Sequence, residues 1–210
     1  MLSILYTSII SLKRPYWYNP IIHNFGNVGT AGNIHALCTP LFTKLIDSRA
    51  YSGVDIRKEI YSEIPEKLSV VDLCCGTGFS TKPGNIGVDT STEMLRYSNL
   101  FNPGNLYKYG NAETFGEDRE FDVVTCMFAF HEIPETGHRA IINNAIRISK
   151  RKVIIVDIST DYKPSKMMLS GEPYILDYIK NVDTLLENFF FEKNTLIPGH
   201  VNMWSHERTP

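Results

Sequence analysis

The chain has 210 residues, of which 43% are hydrophobic and 21% are charged, and this composition excludes disordered, collagen-like and coiled-coil proteins. At roughly 150 residues per domain, the length predicts one domain or a little more, with a hydrophobic core that is stable without disulfide bonds. A net charge of −2, with no basic run longer than residues 150–152, argues against nucleic acid as the main partner.

The four cysteines predict a reducing compartment. Cys38, Cys74, Cys75 and Cys126 lie in apolar surroundings, and no pair has the spacing of a zinc site or of a disulfide framework. We therefore expect a protein of the cytoplasm, or of another reducing intracellular compartment, without a structural metal.

The N-terminal segment is apolar over residues 2–12 and is followed by Lys13 and Arg14. It is too short to span a bilayer, and its charges follow the apolar run instead of preceding it as in a secretory signal. We expect a first helix or strand that covers part of the core. A targeting or membrane-docking segment is the alternative.

Residues 16–35 mix aromatic residues with Asn, Gly and His without a helical or strand period, which predicts an ordered loop. Thr39 and Pro40 are typical of an N-cap and a first helical turn, so we expect a helix to begin there. A second, short helix should end before Pro65.

From Ser69 onward, short apolar runs alternate with helical patterns, as in a parallel sheet covered by helices on both faces. Strands are expected at about 68–74, 85–89, 106–110, 121–128 and 152–158, followed by an antiparallel pair at about 189–195 and 200–206. Helices are expected at about 91–100, 135–149 and 173–188.

The most informative stretch is a glycine-rich turn after the first of these strands. The strand ends near Asp72, and Gly76 and Gly78 follow, so that the backbone can approach a ligand closely. Thr81 stands where a dinucleotide-binding turn has its third glycine, and no Gly-Lys-Ser/Thr sequence follows. The turn therefore suits a nucleoside without a pyrophosphate.

A second carboxylate, Asp89, ends the next apolar run. In a doubly wound sheet it lies at the C-terminal edge of the neighbouring strand, where it can accept hydrogen bonds from both hydroxyls of a ribose. Asp72 and Asp89 are thus expected to face one crevice.

With these residues in place, the chain resembles the class I S-adenosylmethionine-dependent methyltransferases, in the branch that includes the quinone-biosynthesis methyltransferases. The resemblance covers about residues 68 to 208. Four segments carry it in the family's order, namely residues 72–78, 87–95, 110–113 and 121–132.

The resemblance implies an α/β fold with a Rossmann-like, doubly wound, seven-stranded sheet whose last strand is antiparallel. Residues 68–210 would form the S-adenosylmethionine-binding domain, and residues 1–67 an N-terminal helical cap or lid that does not stand alone. The cofactor would be S-adenosylmethionine and the product S-adenosylhomocysteine. The implied cofactor-binding residues are Asp72, Cys74, Gly76, Gly78, Asp89, Thr90, Met94, Asn111, Ala112 and Met127.

Three features depart from the family's pattern. Cys74 stands at the usual first glycine, and Asn111 replaces an aspartate but can still pair with adenine. Residues 79–85 leave at most two turns for the first helix before Pro83 stops it. This shortened helix is the best argument for a degenerate relative.

Methyl transfer from a sulfonium mainly requires alignment of the acceptor and exclusion of water. His131, beside Glu132, is the candidate catalytic base, with a structural role as the alternative. The Asn/Asp-Pro-Pro-aromatic stretch of amino-group methyltransferases is absent. Asp157 and Asp161 alone make a thin set of metal ligands, so we expect no metal.

Substrate choice is expected to lie in segments outside the common core. Aromatic and polar residues there would form a lid over a small, partly apolar ligand, and simple core packing is the alternative. The candidate substrate residues are Tyr16, Trp17, Tyr18, His23, Asn27 and Tyr174.

The sequence therefore predicts methyl transfer from S-adenosylmethionine to a small-molecule acceptor. The first alternative is a catalytically inactive S-adenosylmethionine-binding pseudo-enzyme or partner subunit. A nicotinamide dehydrogenase is disfavoured by Thr81. Neither nucleic acid nor a membrane is expected as a partner, and a homodimer is left open.

Overall fold

The computed structural model describes residues 15–208, so the expectation for residues 2–12 lies outside the described part of the chain. The strands are β1 (Val70–Leu73), β2 (Ile86–Asp89), β3 (Leu106–Tyr109), β4 (Phe121–Met127), β5 (Ser149–Ile158), β6 (Glu192–Ile197) and β7 (Val201–Glu207). The helices are α1 (Gly29–Ala50), α2 (Ile56–Glu63), α3 (Thr92–Phe101), α4 (Glu135–Ile148), α5 (Lys166–Gly171) and α6 (Ile175–Asn188).

The strands form one seven-stranded sheet in the order β3-β2-β1-β4-β5-β7-β6. Strands β1 to β5 pair in parallel, and β7 lies antiparallel between β5 and β6. The predicted Rossmann-like sheet with an antiparallel last strand is therefore confirmed. The strand order reverses between β1 and β4, and in such sheets the ligand crevice lies at this reversal, beyond the carboxyl ends of the strands.

The sheet is buried on both faces. Successive side chains of a strand point to opposite faces, so Val71 lies in the hydrophobic cluster covered by α4 and α6, and Val70 in the cluster that includes α2. All four residues of β1 are buried, which explains why every residue of this strand except Asp72 is apolar.

The prediction that a helix begins at Thr39 is wrong. Helix α1 begins at Gly29, so the last part of the expected loop is helical, and Pro40 lies inside the helix. The Thr39 hydroxyl donates a hydrogen bond to the His35 carbonyl 3.1 Å away and does not cap a helix. Pro40 removes one backbone donor, which a helix of 22 residues tolerates at the cost of a missing bond.

Residues 16–28 form a loop as expected, with two short 3-10 turns, Tyr16–Tyr18 and Ile22–Asn24, and irregular backbone around them. Helix α5 was not expected. Between β1 and β2 the backbone forms only turns, so the helix that follows the first strand is absent. No helix within residues 15–208 is long and apolar enough to cross a membrane.

Candidate functional site

A cavity of about 780 Å³ opens beyond the carboxyl ends of β1, β2 and β4 and is covered by the N-terminal segment and α1. Its volume lies within the range of small-molecule sites, roughly 300–1,000 Å³. Eight of the ten predicted cofactor-binding residues line it, namely Cys74, Gly76, Asp89, Thr90, Met94, Asn111, Ala112 and Met127.

Asp89 joins the glycine-rich turn to the end of β2. Its carboxylate accepts hydrogen bonds from the backbone N–H groups of Gly76 and Ser91, both at 2.8 Å. Burial raises the pKa of Asp89, and these backbone donors oppose that rise. The side chain therefore fixes the turn and also borders the cavity.

The turn leaves open space at Gly76. This residue has a φ of +51°, and a Cβ placed there would meet no atom within 4 Å. Cys74 also lies in the left-handed region, with a φ of +59°. A left-handed backbone favours glycine, and the family that the chain resembles usually has a glycine at the position of Cys74.

Asp72 does not reach the cavity, contrary to the expectation that it faces the same crevice as Asp89. It is fully buried, and its carboxylate accepts hydrogen bonds from the hydroxyls of Ser80, Thr81 and Thr125 at 2.9 to 3.0 Å. Burial raises the pKa of Asp72 to about 7, although the three hydroxyl donors lower it. Asp72 thus supports the turn from beneath.

Gly78 is also outside the cavity lining. Its φ is +83°, and a Cβ there would lie 2.3 Å from the Tyr107 hydroxyl oxygen. Close packing against Tyr107, and not contact with a ligand, is what requires a glycine at this position.

His131 and Asp157 form a buried pair at the carboxyl ends of β4 and β5. His131 Nδ1 lies 2.6 Å from Asp157 Oδ1, and the His131 backbone N–H donates to Asp157 Oδ2 at 3.1 Å. Burial opposes the charged ring, but the Asp157 carboxylate outweighs it and raises the pKa of His131 to about 9. At neutral pH the ring is therefore protonated and acts as a donor.

His23 lies between two glutamates. Its Nε2 is 2.6 Å from Glu132 Oε1, and its Nδ1 is 2.7 Å from Glu172 Oε1. Burial opposes the charge on His23, yet the two carboxylates raise its pKa well above the usual value. Burial also opposes the charge on Glu132, but His23 and His131 lower its pKa to about 2.

Three buried polar atoms around the cavity have no hydrogen-bond partner among residues 15–208. They are Trp17 Nε1, Asn27 Oδ1 and Glu172 Oε2. Buried polar groups in folded proteins almost always have partners, so each of these atoms can make a further hydrogen bond to a water molecule or a ligand in the cavity.

The predicted substrate residues divide into two groups. Tyr16, Trp17, His23 and Asn27 line the cavity, whereas Tyr18 and Tyr174 do not. The Tyr16 hydroxyl is already bound, since it donates to Glu113 Oε1 at 2.7 Å. The Tyr174 hydroxyl accepts from Asn19 Nδ2 at 3.4 Å.

Glu132 was considered only as the neighbour of His131, and Asp157 only as a metal ligand. The role of Asp157 beside His131 could have been found, because it lies near the end of a strand at the same sheet edge. Glu172 lies two residues before the predicted substrate residue Tyr174, whereas nothing in the sequence distinguishes His35, which only the fold of α1 brings to this cavity.

Residues 70–152 match the model of a family described as a methyltransferase domain. The fold is similar to that of a SAM-dependent methyltransferase from Aquifex aeolicus, with a TM-score of 0.57 and 17% identity over 81% of this chain and 98% of that one. No curated protein sequence matches the chain.

Two further solved structures share the fold over 84% of this chain and 99% of their own. A SAM-dependent methyltransferase from Thermotoga maritima has a TM-score of 0.59 at 15% identity. A TehB-like SAM-dependent methyltransferase from Corynebacterium glutamicum has a TM-score of 0.57 at 14% identity. At such identities the likeness shows the fold.

Proposed function

The chain contains a domain of the class I S-adenosylmethionine-dependent methyltransferase family, and from this premise we propose that it transfers a methyl group from S-adenosylmethionine to a small-molecule acceptor. The observation that carries the proposal is the open turn at Gly76 beside the Asp89 carboxylate, at the edge of a cavity of about 780 Å³. A nucleoside without a pyrophosphate fits such a turn.

The described residues suit the two ends of the cofactor. Asp89 offers a carboxylate for ribose hydroxyls, while Asn111 and Ala112 border the same side of the cavity for the adenine. The backbone at Cys74 and Gly76 would hold the methionine part. When bound, S-adenosylmethionine supplies an electrophilic methyl group on a sulfonium sulfur.

The remaining residues hold the acceptor and exclude water. Trp17, Phe42 and Met127 give the cavity an apolar lining, which favours a partly apolar acceptor. Asp157 holds His131 and raises the pKa of its ring to about 9, which favours the protonated form that donates a hydrogen bond. These charge states favour an acceptor atom that already carries a free lone pair.

A catalytically inactive S-adenosylmethionine-binding protein is the second candidate. The observation that favours it is that turns stand in place of the helix that follows β1 in the family's pattern. Binding alone does not distinguish the two candidates, so the test must follow the methyl group.

The test uses S-adenosylmethionine labelled with tritium in the methyl group and fractions of a metabolite extract. The proposal expects label to appear in a small-molecule fraction with the wild type and to fall strongly with Asp89→Ala. Cofactor binding without any transferred label would favour the inactive protein. Label on macromolecules only would contradict a small-molecule acceptor.

A further inference from the structure

Three side chains from distant parts of the sequence meet inside the cavity with the donor atoms of a metal site. His23 comes from the 3-10 turn Ile22–Asn24, Glu132 from the turn after β4, and Glu172 from the end of α5. One nitrogen or carboxylate oxygen from each lies within 4.8 Å of the others. We propose that these three residues bind a divalent transition-metal ion.

The group holds two carboxylates and a single imidazole. A second imidazole, His131, has its Nε2 3.8 Å from Glu132 but is paired with Asp157 at 2.6 Å, and the ring of His35 packs on His23 with the ring centroids 4.6 Å apart. Buried carboxylates are unfavourable unless a hydrogen-bond donor or a cation reaches each of them, so a cation suits this group.

An independent observation points to a missing partner at Glu172. Only 5% of this residue is exposed, and its Oε1 contacts His23, but its Oε2 is buried without a partner among the described residues. Burial of a carboxylate oxygen that accepts no hydrogen bond is unfavourable, because nothing replaces the hydration that the oxygen has lost. A metal ion bound to one ring nitrogen of His23, in place of the proton on that nitrogen, which is released, would provide the partner that Oε2 lacks.

The backbone holds the three ligands in a fixed arrangement. His23 and Asn24 both have left-handed φ values, 52° and 61°, which are uncommon for residues other than glycine. Gly171 packs directly on this turn, because a Cβ there would lie 2.7 Å from Asn24 Nδ2. The end of α5 therefore sets the distance between Glu172 and His23.

The donor set indicates the class of metal. Mixed imidazole and carboxylate ligands suit Mn²⁺, Fe²⁺ or Zn²⁺ better than Mg²⁺ or Ca²⁺, which prefer oxygen alone. Three protein ligands leave coordination positions open, as in catalytic and unlike structural sites. This inference reverses the sequence expectation of no metal, which weighed only Asp157 and Asp161, and it does not depend on methyl transfer.

Manganese is the probe of choice, because the thiols of Cys74 and Cys75 line the same cavity and would compete for Zn²⁺. The full-length protein is titrated with Mn²⁺ alone, and binding is followed by calorimetry and by the loss of the free-ion electron paramagnetic resonance signal. We expect one equivalent to bind, and at least tenfold weaker binding in His23→Gln and Glu172→Gln. The matched controls His206→Gln and Glu135→Gln, both outside the cavity, should bind as the wild type does.

The proposal is overturned if the wild type binds no Mn²⁺ at millimolar concentration, or if both cavity variants bind it unchanged. Circular dichroism checks that each variant is folded. Should a variant not fold, pulsed electron paramagnetic resonance on the wild type decides, because bound Mn²⁺ must show coupling to a histidine nitrogen. No cofactor or acceptor is present in any of these measurements, so inactivity in methyl transfer leaves their outcome unaffected.

Discussion

Asp72 should make the protein less stable as the pH rises from about 4 to about 7. Its pKa is raised from 3.8 to about 7 in the folded chain, mainly by burial. Between these values the folded state holds a proton that the unfolded state has lost. The free energy of unfolding therefore falls with pH across this window and is flat above it.

The size of the effect follows from the pKa difference. A gap of about 3 units, at 1.36 kcal/mol per unit, gives an upper value of about 4 kcal/mol, and relaxation of the buried site reduces it to about 2–4 kcal/mol. Asp72→Asn has the same shape but does not ionise. Its stability relative to the wild type should therefore rise by that amount between pH 4 and pH 8.

Urea denaturation of the wild type and Asp72→Asn at several pH values measures this difference. Asp122→Asn is a control of opposite sign, because the Ser69 backbone N–H and hydroxyl lower the pKa of Asp122. That lowered pKa stabilises the folded state above the usual pKa, so the asparagine variant should lose stability at pH 7. A stability difference for Asp72→Asn that does not change with pH would refute the reasoning.

Three further substitutions, with Gly84→Ala as a control, test the turn between β1 and β2 and the Asp89 carboxylate bound to it. Asp89→Ala should weaken binding of S-adenosylhomocysteine by about 1–3 kcal/mol in calorimetry, because charge-assisted hydrogen bonds are lost. Unchanged affinity would show that Asp89 does not bind the ribose. Gly78→Ala should reduce the free energy of unfolding by about 2–4 kcal/mol in urea, because the new Cβ collides with Tyr107, whereas Gly84→Ala, with a φ of +77° and open space, should cost only about 1 kcal/mol. An equal cost at both glycines would argue against the collision. Cys74→Gly should change the free energy of unfolding by less than about 1 kcal/mol, because relief of the left-handed backbone strain offsets the greater conformational entropy of glycine in the unfolded chain. A loss above about 2 kcal/mol would show that packing of the Cys74 thiol stabilises the fold.

The sheet could be predicted from the sequence because its strands are short, apolar and separated by clear turns. Strand β1, for example, is buried over its whole length and is therefore mostly apolar, so its bounds are easy to recognise in the sequence. Helix α1 could not be placed correctly, since its apolar residues do not keep to one face and Pro40 looks like a first-turn residue. Local pattern and tertiary structure disagree most where a helix covers an open cavity.

The meeting of Gly76 and Asp89 at the cavity was also predictable, because local chain geometry determines it. Gly76 and Asp89 lie at the ends of neighbouring parallel strands, and the spacing of the motifs already places them together. The orientation of Asp72 depends on hydroxyls from two other segments, which no local pattern shows. The contact of His23 with Glu172 joins residues far apart in sequence and was visible only in the folded chain.

The proposed function depends most directly on whether the cavity at Gly76 and Asp89 holds the nucleoside cofactor. Calorimetric titration of the wild-type protein with S-adenosylhomocysteine measures this without any knowledge of the acceptor. We predict binding of one equivalent that NAD does not compete with. No binding at millimolar concentration, or preferential binding of NAD, would contradict the account.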